Sequence, residues 1–120
     1  MTRLLRSFGY AWEGILHAYS TEQNIRIHTL IGILVCIVAF FLDVTSTEWM
    51  IIFILIAGMI SLELLNTAIE RTIDLVTKKE YHPLAKQAKD LSAAAVFIFA
   101  IVSVMIGLII FMNKIVRLII

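Results

Sequence analysis

The 120-residue chain is 61% hydrophobic and 16% charged, with a formal net charge of +1. That excludes an ordinary soluble domain, which is about half apolar and a quarter charged. The near-neutral charge, with no stripe of basic and aromatic residues, excludes a nucleic-acid partner. Two uncharged runs, 27–42 and 91–112, and a third apolar stretch from Trp49, broken mainly by Glu63 and Asn66, predict an all-α protein of the lipid bilayer. A bilayer crossing takes about 20 residues of helix, so the length allows a single domain, 1–120, with three spans. So small a chain cannot enclose a cavity alone, and any chemistry is expected at a site shared between copies.

Residues 2–20 place Leu5, Phe8, Trp12, Ile15, Leu16 and Tyr19 on one helical stripe, with Arg6, Glu13, His17 and Ser20 over the rest. This is the pattern of a helix lying in the membrane surface. These residues lack the apolar core and cleavage site of a signal peptide, so the spans themselves are expected to direct insertion. The first span runs about 27–42, short enough to need Arg26 to snorkel at one end, and its lone Cys36 has no partner for an intrachain disulfide. Residues 43–48 then turn, and Trp49 stands where an interfacial aromatic belongs. A second span covers about 49–69, and its helix continues in amphipathic form to about Val76, projecting into water. Lys78 to Pro83 break the pattern, with Pro83 disfavouring helix at His82. The third helix is predicted from near Leu84 to about Met112, with the span at 91–112. Its small residues Ala93, Ala100 and Gly107, seven apart, suit close helix contact in lipid. Topology follows from basic residues. With the N-terminus cytoplasmic, Arg3, Arg6, Arg26, Arg71, Lys78, Lys79, Lys86 and Lys89 lie inside, against Lys114 and Arg117 outside.

Glu63, Asn66, Glu70 and Asp74 recur at i, i+3, i+7 and i+11, which puts them on one face of the second helix. A charge run is ordinarily a solvated face, but Glu63 and Asn66 lie among Leu62, Leu64, Leu65 and Ile69, where ionisable groups are costly and mark function. Counted from Trp49, Glu63 lies about 21 Å along the helix, near the inner boundary of a core ~30 Å thick, with Glu70 roughly 10 Å further out. One acid meets lipid and the other meets water. That geometry suits a reaction between a membrane-dissolved molecule and a soluble one, with Glu63 as general base and Glu70 free to hold a cation. Glu22 is a second carboxylate at the same level, on spacing alone an ordinary surface residue as readily as a ligand. Lys89 is either a phosphate contact or a membrane anchor. Phosphate loops and kinase signatures of soluble enzymes are absent from the sequence, and His17, His28 and His82 lack metal-site spacing.

The run Glu63-Leu-Leu-Asn-Thr-Ala-Ile-Glu70-x-x-x-Asp74, then Tyr81-His82 and Ala88-Lys89-Asp90-x-x-Ala-Ala-Ala-Val96, resembles the small prokaryotic membrane lipid kinases, the diacylglycerol kinase and undecaprenol kinase family. Thr2-Arg3, Gly9-Tyr10-x-Trp12-x-Gly14 and Glu22 extend the match over nearly the whole chain. The resemblance implies a homotrimer of three-span subunits with N-terminal surface helices and active sites between subunits at the cytoplasmic face of the bacterial membrane. It implies direct transfer of the ATP γ-phosphate to a lipid hydroxyl, which needs positioning and charge stabilisation more than covalent chemistry. By position, Glu63 matches the family's general base and Asn66 a polar residue beside it. Glu22 and Glu70 match the carboxylates that hold Mg²⁺ with the ATP phosphates. Arg3, Tyr10, Glu80, Tyr81, His82, Lys89 and Asp90 match the nucleotide site, and Trp12, Glu63 and Ala93 the lipid site.

The segments Glu48-Trp-Met-Ile-Ile-Phe, Ser61 to Glu70 and His82-Pro-Leu-Ala-Lys look closest to the Gram-positive branch, similar to undecaprenol kinases. Ala93 stands where the Gram-negative diacylglycerol kinases carry Ser, and an extra residue lies between Asp74 and Glu80. Gly9-Tyr10-x-Trp12 is similar to the Gram-negative type. Undecaprenol is therefore the expected substrate, with diacylglycerol the alternative. A small multi-span transporter would also carry one intramembrane glutamate, but it has no need of Glu70, Asp74, Lys89 and Asp90 gathered at the membrane edge.

Overall fold

A computed structural model describes residues 2–120, all of it helix and short connections. The elements are α1 (Thr2–Thr21), α2 (Gln23–Phe41), α3 (Ser46–Thr77) and α4 (Pro83–Ile119). The last three are long and apolar enough to cross a membrane. Helix α3 is central, packing against both α2 and α4.

Between α1 and α2 the break is one residue, Glu22, whose extended backbone (φ −110°, ψ 115°) redirects the chain. Arg26, near the start of α2, donates from Nη1 to the carbonyls of Tyr19 (2.9 Å) and Ser20 (3.3 Å), satisfying acceptors that the end of α1 leaves open. The Tyr19 and Thr29 hydroxyls pair across the same junction. At the far end, Asp43 takes a left-handed conformation (φ 53°) and Thr45 starts α3 with a capping box. The Thr45 hydroxyl accepts from the Glu48 N–H, and the Glu48 carboxylate accepts from the Thr45 N–H. Ala39, Val44, Ile52 and Ile110 form a small buried cluster beneath this turn.

Helix α4, predicted to end near Met112, continues to Ile119. No Pro or Gly follows Met112 to end it, and Lys114 Nζ lies 3.0 Å from Glu48 Oε1, tying the extension to the start of α3. At the opposite end, Lys78 and Lys79 adopt left-handed backbone (φ 55° and 63°), so α3 ends at Thr77 and the chain reverses. His82 then caps α4, its Nδ1 accepting from the Leu84 N–H at 3.1 Å, with Pro83 at the first helical position.

Glycine sets the approach of α3 to α4. A methyl group at Gly58 would come 2.5 Å from Phe99 Cζ, so the Phe99 ring occupies the space a side chain would need. Gly58→Ala is expected to destabilise the fold by ~1–3 kcal/mol through overpacking. Adding Phe99→Leu should recover part of that loss, as read from reversible unfolding in mixed micelles.

Most large apolar side chains on all four helices remain exposed in the single chain, including Leu5, Phe8, Phe40, Phe53, Phe97 and Leu108. An apolar surface of that extent needs lipid or further protein against it.

Candidate active site

The polar side chains gather at one end of the bundle, where the α1–α2 junction, the last turns of α3 and the first turns of α4 meet. Glu63 is the deepest, 4% exposed in the middle of an apolar helix. A carboxylate there is tolerated only with a partner, and His28 on α2 supplies it, Nε2 lying 3.3 Å from Glu63 Oε1. One turn on, Asn66 links two helices. Its amide donates to Glu70 Oε1 (3.2 Å), and its Oδ1 accepts from Ser92 Oγ on α4 (2.7 Å). Asn66 is thereby held in one amide orientation.

Glu22, Thr67, Glu70, Arg71 and Asp74 line an open cleft of about 660 Å³. Glu22 Oε1 sits 2.8 Å from Arg71 Nη2, which also donates to the Thr21 hydroxyl. A second cleft, about 420 Å³, is bounded by Glu80, Tyr81, His82, Lys86, Lys89 and Asp90, and shares Asp74 and Lys79 with the first. Lys89 Nζ is 2.6 Å from Asp74 Oδ1, and Lys86 pairs with Asp90 at the same distance.

The two clefts thus bring together eight of the residues singled out in the sequence: Glu22, Glu70, Asp74, Glu80, Tyr81, His82, Lys89 and Asp90. Glu63 lines neither cleft, being turned toward α2. Arg3, Tyr10 and Trp12 are exposed on α1, and Tyr10 and Arg3 stand roughly 18 and 28 Å along that helix from Glu22 at ~1.5 Å per residue. One chain therefore does not bring them to the clefts. Ala93 is exposed on α4, beside Ser92.

Three contributors escaped the sequence reading. His28 was counted as neutral inside an uncharged run, although an ionisable residue just inside a span is itself a signal. Arg71 was read only as a topology marker, and Ser92 carried no sequence signal.

The chemistry of the donors fits a divalent cation arriving with a nucleotide. Mg²⁺ keeps several waters and takes one or two carboxylates with phosphate oxygens rather than a full protein cage. Glu22 and Glu70, half-buried and facing one cleft, supply such a pair. Among the described residues no three His, Cys, Asp or Glu side chains form a preformed metal cage.

Residues 9–111 match the sequence profile of the prokaryotic diacylglycerol kinases. The chain is 51% identical, over 95% of its length and 92% of the relative's, to the undecaprenol kinase of Bacillus subtilis (strain 168). It is 42% identical over 87% of its length to the diacylglycerol kinase of a Synechocystis species, covering 59% of that longer protein. It is 34% identical over 86% of its length, and 84% of the relative's, to the diacylglycerol kinase of Escherichia coli (strain K12). With a profile match across most of the chain and relatives this similar along their own length, the protein belongs to the prokaryotic diacylglycerol kinase family, the membrane lipid kinases.

Proposed function

We propose that this kinase transfers the γ-phosphate of ATP to the terminal hydroxyl of undecaprenol, with diacylglycerol the second choice of acceptor. The observation that carries the site is the placement of a buried carboxylate, Glu63, about two helical turns from a solvent-open cleft lined by Glu22, Glu70 and Asp74. A lipid alcohol reaches Glu63 from the bilayer, and nucleotide phosphates reach the cleft from water. Glu63 accepts the hydroxyl proton as the alcohol oxygen bonds to the γ-phosphorus, and the bond from that phosphorus to the β–γ bridging oxygen breaks, releasing ADP. Asn66, fixed by Ser92 and Glu70, orients the polar groups beside the base. Glu22 and Glu70 would hold Mg²⁺, which neutralises charge on the phosphates when bound. Lys89 and Arg71 lie ready to meet phosphate oxygens once released from Asp74 and Glu22. Glu80, Tyr81, His82 and Asp90 border the nucleotide.

The working unit is a homotrimer in the bacterial cytoplasmic membrane, with the N-terminus cytoplasmic and α1 lying in the membrane surface. This assembly accounts for the distance of Arg3, Tyr10 and Trp12 from the clefts of their own chain: they would serve a neighbouring copy. Shared sites also account for Glu63 lying off both cleft walls.

The higher identity to an undecaprenol kinase than to the diacylglycerol kinases supports the polyprenol reading. So does Ala93. A polyprenol needs only its hydroxyl delivered near Glu63, whereas diacylglycerol carries two ester carbonyls that benefit from polar partners, and Ala93 offers none. Purified protein in bilayers, given both lipids together with labelled ATP and Mg²⁺, should show higher kcat/KM for undecaprenol. Ala93→Ser should shift the ratio toward diacylglycerol by about 1 kcal/mol, one added hydrogen bond. Preference for diacylglycerol in the unmodified protein would overturn the lipid assignment and leave the kinase chemistry standing.

A further inference from the structure

We propose that His28 is a positioning residue for Glu63, holding one oxygen of its carboxylate so that the other is presented to the lipid hydroxyl. The inference rests on Glu63 being the base.

Among the described residues, His28 is the one basic side chain with a nitrogen within 4 Å of the Glu63 carboxylate. Four other basic groups at this end have partners of their own: Arg26 the Tyr19 and Ser20 carbonyls, Arg71 Glu22 and Thr21, Lys86 Asp90, and Lys89 Asp74. The imidazole is only partly exposed, its side chain 26% accessible against 6% for Glu63, so water does not readily replace it. Nor is it loosely carried. Its neighbour Thr29 is bound to the Ile25 carbonyl (2.8 Å) and to the Tyr19 hydroxyl, so the turn of α2 bearing His28 is locked to α1. Nε2 stands 3.3 Å from Oε1, and an imidazole carrying its proton on that nitrogen has a donor to direct at the carboxylate. A carboxylate so held loses its freedom to rotate away from the acceptor hydroxyl, and misplacement of a reacting group by about 1 Å can cost up to ~10²-fold in rate.

The test uses the full-length protein in bilayers, with kcat and the KM values for ATP and for undecaprenol measured separately. His28→Ala should lower kcat about tenfold or more while leaving the KM for ATP within about twofold. His28→Gln, whose side-chain amide N–H reaches a similar distance, should recover most of the loss. In a Glu63→Gln background, His28→Ala should cost nothing further, since the group it positions is gone. Wild-type kcat in His28→Ala, or no recovery in His28→Gln, overturns the proposal. Unimpaired turnover by Glu63→Gln alone would instead overturn the base assignment beneath it, and is read without any His28 variant.

Discussion

Glu63→Gln is expected to lower kcat by ~10² or more while leaving helix content and nucleotide binding intact. The substitution keeps the shape of a side chain that is 4% exposed, so packing between α2 and α3 should be preserved. What it removes is the proposed proton acceptor. An amide cannot take the hydroxyl proton as the oxygen attacks phosphorus, so the loss should fall on kcat with little change in the KM for ATP. It keeps a polar side chain of the same size facing His28, so stability should change little. Circular dichroism, ATP binding and steady-state rates on the same preparation separate these effects. Near-normal turnover by a folded protein would remove Glu63 from the chemistry.

The features legible in the sequence were those set by local pattern. Three helices long enough to cross a bilayer follow from three long apolar stretches, and the chain reversal before α4 from Lys78 to Pro83. Glu63 and Asn66 stood out because their neighbours are leucines. What the pattern left hidden depends on which helix faces which. Glu63, Asn66, Glu70 and Asp74 were placed on one stripe of α3, yet that stripe straddles the seam between α2 and α4. Glu63 consequently turns to His28, while Asn66 and Asp74 turn to Ser92 and Lys89. Helical period fixes a residue's azimuth but not its partner. The length of α4 was misjudged for a different reason. Polar residues return at Asn113 and Lys114, but no helix breaker follows them, and the Lys114–Glu48 pair holds the extra turns to the start of α3.

Glu70→Gln carries the second large effect and also tests how copies of the chain combine. Glu70 faces the cleft with Glu22, so the change removes the charge of one of the two proposed cation ligands, while the amide oxygen of Gln can still accept from Asn66. The Mg²⁺ concentration for half-maximal rate should rise about tenfold or more, with excess Mg²⁺ restoring part of the activity, as expected when one of two carboxylates is lost. A rise in lipid KM without any change in Mg²⁺ dependence would sink the ligand assignment. Because Glu63 and Glu70 sit on the same helix, yet Glu63 lines neither cleft of its own chain, a site assembled between neighbours would draw them from different copies. Glu63→Gln and Glu70→Gln proteins, each impaired at limiting Mg²⁺, should then complement when unfolded, mixed in equal amounts and reassembled. In a closed ring of three with random assortment, about one quarter of sites would receive an intact residue from each side. Recovery near that fraction supports shared sites; none in trimers shown to be mixed means that each chain supplies both carboxylates to its own site.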